Sequence, residues 1–350
     1  MQPSSAEARH SSGCWLSFAT MRNLYPLVMS PVFDPRPWGT RDLSPIYPQH
    51  HFAEKIGEAW LTGDHSQVAN GWLEGQSLAK LSAEYGRDLV GEIAPDPTRF
   101  PLLVKFLFPR EKLSVQVHPD DETALKRGWA CGKTECWYVV DAEAGAQIAL
   151  GLKPGVTRAQ FAHSIREERA EELLNWIDVR PGDMIYVAGG TVHTLGPGSI
   201  IIETQQPSDL TYRLYDYGRP RELHLTDGLS ALKESVRSGK VIRSASTEIQ
   251  GERNRHWRLI ASPYFVVELF ELNEPYELRP ESQRSAQVLV VTEGSGILES
   301  GGFESMAIAK GDAVVVPASL AGFRVQPQGS IGFLKSSLPN QAMPEPVTEL

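Results

Sequence analysis

Four residues of the N-terminal half have side chains that can bind a divalent metal ion. Gln116 and His118 are two residues apart in a strand-like stretch, so their side chains are expected on one face. Glu135 approaches the next apolar strand, and His193 lies on a turn after a later one. An amide oxygen, two imidazoles and a carboxylate suit an ion such as Zn²⁺, which can polarise a substrate oxygen. The alternative is that the histidines are ordinary packed residues, because only folding could bring the four together.

A second polar cluster follows the apolar run Ile200–Ile202, which indicates a buried strand. Polar residues that leave such a strand commonly line the mouth of a pocket. The cluster contains Glu203, Asp209 and Arg213, and the planar guanidinium of Arg213 suits a phosphate or a developing oxyanion. The alternative is an ordinary surface network of ion pairs.

An internal repeat indicates how the chain is organised. Residues 181–187 read Pro-Gly-Asp-Met-Ile-Tyr-Val, and residues 310–316 read Lys-Gly-Asp-Ala-Val-Val-Val. Each is a Gly-Asp turn before an apolar strand, and another apolar strand precedes each copy, at 136–140 and at 288–291. Two copies of one antiparallel unit predict two packed β-barrels or sandwiches, the first with helical insertions.

The two copies differ in their ionisable residues. When the Gly-Asp turns are aligned, His193 of the first copy falls opposite Gly322 of the second. When the preceding strands are aligned, Glu135 falls opposite Gln287. The second copy therefore has the scaffold without the ionisable groups, and the function is predicted to reside in the first copy.

Hydrophobic spacing predicts the remaining elements. Residues 77–91, 157–177 and 224–239 are predicted to be helical, with the second as the clearest helix. Strands are predicted within 100–117, over 136–140 and over 147–152.

Composition restricts the class of protein. The 350 residues (38.7 kDa) allow about two domains. A formal net charge of −9 argues against a nucleic-acid partner, and no apolar run is long enough to span a membrane. Three cysteines and the lack of a secretory signal favour the cytoplasm.

Six motifs in order carry a resemblance to a known family. They are Pro37-Trp38-Gly39, Gly57-Glu58-Ala59-Trp60, Ser114-Val115-Gln116-Val117-His118-Pro119-Asp120-Asp121, Gly132-Lys133-Thr134-Glu135-Cys136-Trp137-Tyr138, Gly190-Thr191-Val192-His193-Thr194-Leu195 and the run from Glu203 to Arg213. From about Leu24 to Leu338 the chain resembles the type I mannose-6-phosphate isomerases of the short bacterial kind, which are zinc-dependent cupin enzymes. The C-terminal copy is similar to the second, metal-free cupin of that family.

The resemblance implies an all-β dominated fold with two jelly-roll-like cupin barrels, the first carrying helical insertions and the second no metal ligands. The expected division is a disordered extension over 1–23, a catalytic cupin over 24–240, a linker over 241–254, a C-terminal cupin over 255–338 and a tail over 339–350.

The resemblance also implies roles for individual residues. One Zn²⁺ per chain would be held by Gln116, His118, Glu135 and His193. The catalytic residues implied are Arg213, Lys133 and Glu203, and the substrate-binding residues are Ser114, Lys105 and Asp209. Longer members of the family have a histidine immediately before the lysine, where this chain has Gly132.

The implied reaction interconverts mannose 6-phosphate and fructose 6-phosphate through a cis-enediol. The base is left open among Glu203, Asp209 and a zinc-bound hydroxide. Two alternatives remain: a catalytically silent cupin that binds sugar phosphate or metal, and a metal cupin of different chemistry such as an Fe(II) oxygenase. A hexose 6-phosphate is the expected partner, and among oligomeric states the monomer is favoured.

Overall fold

The computed structural model describes residues 23–235, 237–242, 253–279 and 284–350, together with the backbone of 247–248. Nearly all of the predicted N-terminal extension and much of the predicted linker lie outside these residues. None of the helices in the described ranges is long and apolar enough to cross a membrane.

Strands predominate throughout the described chain. In chain order they are β1 Leu27–Ser30, β2 Val32–Thr40, β3 Ile56–Trp60, β4 Gln67–Val68, β5 Leu103–Leu107, β6 Val115–Val117, β7 Glu135–Ala142, β8 Gln147–Leu152, β9 Leu174–Asp178, β10 Met184–Val187, β11 Val192–Leu195, β12 Ser199–Gln205, β13 Tyr212–Tyr215, β14 Gly239–Val241, β15 Thr247–Glu248, β16 Arg255–Ala261, β17 Val266–Leu272, β18 Tyr276–Leu278, β19 Gln287–Glu299, β20 Met306–Ala309, β21 Ala313–Val316, β22 Phe323–Ser337 and β23 Thr348–Glu349. The helices are α1 Leu78–Tyr85, α2 Arg87–Val90, α3 Asp121–Lys126, α4 Arg158–Arg166 and α5 Leu225–Ala231.

The N-terminal unit consists of two sheets packed face to face. One has the order β2-β3-β5-β12-β7-β10-β14-β23, and the other has the order β13-β6-β11-β8-β9. Because successive residues of a strand alternate between faces, each sheet turns one apolar row towards the other. Trp137 and Ile185 of the first sheet share a buried cluster with Ile148 and Leu150 of the second. This double-sheet arrangement is that of a jelly roll, and the helices between residues 78 and 231 are insertions in it.

The C-terminal unit is one ten-stranded sheet in which the long strands β19 and β22 pair along most of their length. The start of the chain belongs to this sheet, because β1 pairs with β21 with Leu27 opposite Val315. The chain then passes directly from β1 into β2 of the N-terminal unit. The two units therefore share the first strands of the chain.

The predicted repeat is confirmed by the strand register. In the N-terminal unit Val187 of β10 lies opposite Glu135 of β7, and in the C-terminal unit Val316 of β21 lies opposite Gln287 of β19. The alignment of the Gly-Asp turns relates Val187 to Val316, and the alignment of the preceding strands relates Glu135 to Gln287. The ionisable Glu135 and the neutral Gln287 thus occupy equivalent places in two copies of one scaffold.

Equivalent strands of the two copies also meet in the structure. β12 pairs with β7 as β22 pairs with β19, which makes Thr204 the counterpart of Ser336. Their hydroxyl oxygens are buried and lie 3.2 Å apart. Because side chains alternate along a strand, the neighbours of Thr204 and of Ser336 point away from this contact into their own units.

Two of the three predicted helices are much shorter than expected. The helix predicted over 157–177 begins correctly with a capping box at Thr157, but it ends at Arg166. Glu168 has a φ of 58°, and residues 174–178 form β9 against β8, so the apolar residues there follow a strand period. The helix predicted over 224–239 ends at Ala231. The helix predicted over 77–91 is divided into α1 and α2 at Gly86, which has a φ of 49°.

Gly91 joins the insertion after α2 to the C-terminal unit and has no room for a side chain. Its φ is +98°, and a Cβ there would lie 2.3 Å from the carbonyl oxygen of Arg284. Gly75 has a similar φ of +79° but nothing within 4 Å. We expect Gly75→Ala to lose about 1–2 kcal/mol of stability from the backbone conformation alone. Gly91→Ala should lose about 1–3 kcal/mol more from the collision. Thermal unfolding midpoints of the two variants measure the difference, and equal midpoints would contradict this packing.

Candidate metal centre

The five-stranded sheet brings three polar side chains into one row. Gln116 of β6 lies opposite His193 of β11 on one side and opposite Arg213 of β13 on the other. Residues directly opposite each other in antiparallel strands share a face, so the three side chains point the same way. Residues far apart in sequence therefore meet because β6 is the central strand of three.

The eight-stranded sheet presents a second polar row. Lys105 of β5 lies opposite Glu203 of β12, and Glu203 lies opposite Trp137 of β7. Glu135 is two residues before Trp137 on the same strand and so shares its face. The Trp137 indole and the His193 imidazole have ring centroids 5.4 Å apart, so the two polar rows meet across the interior of the N-terminal unit.

His118, Glu135 and His193 form a buried group that can bind a metal ion, with ligand atoms all within 4.8 Å of one another. Nε2 of each histidine lies 3.5 Å from an oxygen of Glu135. His118 Nδ1 lies 2.8 Å from the carbonyl of Leu210, and His193 Nδ1 lies 2.9 Å from that of Thr191. A carbonyl can only accept, so each Nδ1 carries the hydrogen and each Nε2 turns a lone pair towards Glu135.

The protonation states of the group are those that metal ligands need. Burial and the nearby charge of Lys133 lower the pKa of His118 to about 4. Burial also lowers the pKa of His193. Burial alone would raise the pKa of Glu135, but Lys133 and the two histidines hold it well below its ordinary value. At neutral pH the group therefore offers two neutral imidazoles and one carboxylate.

The residues present fit a metal ion because several buried polar atoms make no hydrogen bond with the described residues, although Lys133 forms an ion pair with one oxygen of Glu135. His118 Nε2 and both carboxylate oxygens of Glu135 make no hydrogen bond with any described residue. Leaving such atoms buried and unpaired is costly, and a cation among them removes the cost. The Gln116 amide nitrogen lies 3.2 Å from His193 Nε2. Rotation of the amide would present its oxygen instead, so Gln116 can supply a fourth ligand.

Two buried lysines lie beside the group. Lys133 Nζ is 3.1 Å from Glu135 Oε2, and Lys105 Nζ is 3.2 Å from Glu203 Oε1. Burial alone would lower the pKa of each lysine, but the surrounding carboxylates raise both above the ordinary value. Both side chains are therefore cations at neutral pH and cannot act as bases. Glu203 lies between them, and its other oxygen accepts a hydrogen bond from the Trp137 indole.

The charged network continues outwards through residues that were not predicted to belong to the site, although Glu58 and Trp60 lie in one of the quoted motifs. Lys105 Nζ is 3.3 Å from Glu58 Oε2, which also accepts a hydrogen bond from the Trp60 indole. The Arg36 guanidinium pairs with Glu58 and with Asp34. Burial would raise the pKa of Glu58, but Lys105 and Arg36 lower it to about 2. Glu58 thus holds Lys105 from the side opposite Glu203.

Two of the predicted substrate-binding residues, Asp209 and Ser114, and the predicted catalytic residue Arg213 lie in different surroundings. Asp209 is exposed, lies 4.0 Å from Lys105 Nζ and lines a cleft of about 540 Å³ together with Asp34 and Trp60. Arg213 is partly buried and donates to the Glu222 carbonyl, while its Nε has no partner among the residues described. Ser114 is buried and donates to the Gln116 amide oxygen, so it contacts a candidate ligand directly.

Gln206 was not singled out as a site residue, yet it fixes the loop that carries Lys133. Its backbone N–H donates to the carbonyl of Thr134, and its side-chain oxygen accepts from the N–H of Thr134. Its side-chain nitrogen donates to Asp121, which also accepts from the N–H of Gly132. Two loops and the end of β12 are thereby held together. Gln206 lies in the quoted motif over 203–213, but membership of the motif does not reveal that its side chain binds the backbone of another loop.

Gly132 stands where longer members of the family have a histidine, and a side chain has no room there. A Cβ at this position would lie 2.5 Å from the carbonyl carbon of Asp120 and 2.6 Å from the amide nitrogen of Asp121. The loop before Lys133 is therefore packed directly on the backbone at the start of α3. No proton transfer in this chain can be assigned to a residue at position 132.

Two copies of one antiparallel unit, of which the first alone has a His–Glu–His group within the described ranges, define a protein of the cupin fold class with a candidate metal centre. A family model described as phosphomannose isomerase type I, catalytic domain, matches residues 39–151. Another, described as mannose-6-phosphate isomerase, cupin domain, matches residues 257–334. The predicted fold class, dominated by strands with helical insertions in the first unit, is confirmed.

Relatives extend over nearly the whole chain. Mannose-6-phosphate isomerase ManA of Bacillus subtilis is 36% identical, over 86% of this chain and 96% of its own length. Mannose-6-phosphate isomerase of Streptococcus mutans is 34% identical, over 84% and 93% respectively. A crystal structure of the mannose 6-phosphate isomerase from Bacillus subtilis superposes with a TM-score of 0.80 at 33% identity, covering 89% of this chain and 99% of that one. The chain belongs to the type I phosphomannose isomerase family.

The His–Glu–His group predicts a single metal site with a sharp dependence on its ligands. We expect one Zn²⁺ per chain, and His118→Ala should weaken binding at least about 100-fold, since losing even a supporting residue costs 10–100-fold. His163→Ala is the matched control, because His163 is exposed on α4. Isothermal titration calorimetry of the metal-stripped protein measures both. Unchanged affinity in His118→Ala would show that the metal is bound elsewhere.

The lowered pKa of His118 predicts an unusual pH dependence of metal binding. Protons compete with a metal only where a ligand is protonated, and this begins near pH 4 for His118 instead of near 6.5. The metal affinity should therefore stay nearly constant from about pH 8 to about pH 5 and fall below that range. Titrations at several pH values measure this profile. A steady decline that already starts near pH 6.5 would contradict it.

Proposed function

We propose that this protein is a zinc-dependent mannose-6-phosphate isomerase. The observation that carries the proposal is the His118–Glu135–His193 group beside two buried lysines, in a chain of the type I phosphomannose isomerase family. The substrate would be a hexose 6-phosphate that enters through the cleft lined by Asp209. When bound, zinc would supply a Lewis acid that polarises a substrate oxygen.

The reaction moves two protons and loses no atom. The proton on C2 of mannose 6-phosphate is removed and delivered to C1, and the hydroxyl proton on O2 passes to O1. The intermediate between the two sugars is a cis-enediol, and negative charge develops on its oxygens. Lys133 is a fixed cation at the centre and would stabilise that charge without leaving its place.

The charges around the site support separate tasks for the remaining residues. Arg213 shares a face with Gln116 and has an unpartnered Nε within the described chain, so it would bind the substrate phosphate. The Ser114 hydroxyl is bonded to the Gln116 amide oxygen, and after rotation of the amide it would accept from the side-chain N–H₂ and hold that ligand in orientation. Lys105 is held between Glu58 and Glu203 and would meet the sugar hydroxyls beside Asp209.

Asp209 is the carboxylate that we assign as the base between C2 and C1. Both oxygens of Glu203 already face donors, namely the Lys105 ammonium and the Trp137 indole. Among the described residues, the cation paired with Asp209 is Lys105 at 4.0 Å, and Asp209 faces the open cleft. A base needs a free acceptor within reach of the substrate, and Asp209 satisfies that requirement while Glu203 holds the lysines in place.

The reaction and the metal are tested together by a coupled assay for fructose 6-phosphate. Metal-stripped protein should be inactive, zinc should restore turnover, and His193→Ala should abolish it, while His163→Ala retains full activity. Fe²⁺ with oxygen-uptake measurement serves as a parallel arm. Absence of turnover with every metal, in protein shown to be folded, would disprove the isomerase. Oxygen uptake would point to oxygenase chemistry instead.

The assignment of the base is tested by Asp209→Asn and Glu203→Gln. Asp209→Asn should lower kcat about 10²–10⁴-fold and stop the loss of deuterium from [2-²H]mannose 6-phosphate to water. Asp209→Glu should recover part of the activity, because it restores the carboxylate. Glu203→Gln should keep the deuterium loss measurable. Deuterium loss that survives in Asp209→Asn and disappears in Glu203→Gln would reverse the two roles.

A further inference from the structure

The C-terminal unit has a small pocket where the repeat places the counterpart of the metal centre. It is lined by Gln287, the equivalent of Glu135, and by Gly322, which the alignment of the turns sets opposite His193. Lys335 and Ser337 of β22 also line it, and they correspond to Glu203 and Gln205 of β12. The place in the C-terminal unit that is equivalent to the metal centre is therefore a pocket rather than a filled core.

The charges in this pocket are reversed relative to the N-terminal unit. In the first copy the β5–β12 row pairs Lys105 with Glu203, and in the second the β17–β22 row pairs Glu268 with Lys335. Lys335 Nζ lies 2.6 Å from Glu268, which does not line the pocket. The position that holds the carboxylate of Glu203 in the N-terminal unit therefore holds the ammonium group of Lys335 in the C-terminal unit.

The pocket lining otherwise consists of donors and neutral groups. Arg284 brings a second cation, and the hydroxyl of Ser337 and the amide of Gln287 add polar atoms, whereas the Ser285 hydroxyl already donates to the Ala286 carbonyl. No aspartate or glutamate is among the described residues that line it. The Gln287 amide oxygen is buried without a hydrogen-bond partner in this part of the chain, and rotation of the amide would present its N–H₂ instead. In a chain with a net charge of −9, a lining that has two cations and, among the described residues, no acid favours an anion, although Glu268 offsets part of the charge of Lys335 from behind the pocket.

We propose that the C-terminal unit binds a phosphate group in this pocket, either as inorganic phosphate or as the phosphate of a monoester. Its inner volume is about 30 Å³, room for about two or three water molecules, which matches one oxyanion and excludes a whole sugar. The pocket opens beside the exposed Arg284, so the rest of a monoester would remain outside. A metal ion does not fit, because the lining has no histidine or carboxylate and two positive charges.

Gln287→Glu tests the proposal, because it changes one amide group to a carboxylate of the same shape. The new charge would face Lys335, so the fold should persist, but it would repel phosphate. Gln326→Glu is the matched control, since Gln326 is exposed on the same strand as Lys335 and lies outside the pocket. Arg284→Ala is a second variant at the mouth, where the side chain is exposed.

Equilibrium dialysis with radiolabelled inorganic phosphate, on zinc-loaded protein at constant ionic strength, counts the bound anions. In Gln287→Glu the affinity of this site for phosphate should fall at least about tenfold. At phosphate concentrations that just saturate the wild type, the variant should therefore bind nearly one phosphate per chain fewer. Arg284→Ala should weaken the same site, and Gln326→Glu should match the wild type. Displacement of this phosphate by glucose 6-phosphate would identify a monoester as the ligand, and its persistence would identify free phosphate. Equal binding by wild type and Gln287→Glu would overturn the proposal, whether or not the protein isomerises sugars.

Discussion

The rest of the structure depends on keeping opposite charges together inside a sheet sandwich. Three buried carboxylates, Glu58, Glu135 and Glu203, face two buried lysines, Lys105 and Lys133. Each charge alone would be too costly to bury, so every one needs a partner at a fixed distance. The register of the strands in the two sheets sets those distances. The apolar cluster around Trp137 fills the space between the sheets beside the charged groups and excludes water from it. The oxygens of Glu135 accept no hydrogen bond from the described residues, and Lys133 approaches one of them, so a bound cation would complete the set.

The two units show how one scaffold supports two electrostatic arrangements. The β7–β10 pairing of the first copy reappears in β19–β21 with the same register, so the backbone places side chains alike in both. A group that can bind a metal ion arises where the positions hold histidine and glutamate. Where they hold glutamine and glycine, the remaining lysine faces the pocket. The contact between Thr204 and Ser336 joins the two strands whose opposite faces carry these sites.

Much of this could be predicted from the sequence, because the relevant signals are local or repeated. The Gly-Asp turns located both units, and their comparison located the residues that differ. The three ligands His118, Glu135 and His193 do converge, but only their resemblance to a family could select them over ordinary packed residues. The helix over 157–177 was overestimated because apolar residues at 173–176 fit a helix and a strand equally well. The roles of Glu58, Arg36 and Gln206 depend on contacts between segments distant in sequence, which no spacing rule reveals.

The comparison of the two copies leads us to expect one metal ion in the N-terminal unit and none at the equivalent place in the C-terminal unit. Anomalous diffraction from crystals of the full chain, recorded on both sides of the zinc absorption edge, distinguishes the two places. We expect one zinc peak per chain, in contact with Gln116, His118, Glu135 and His193. A peak coordinated by other residues, or a second one beside Gln287 and Lys335, would contradict it.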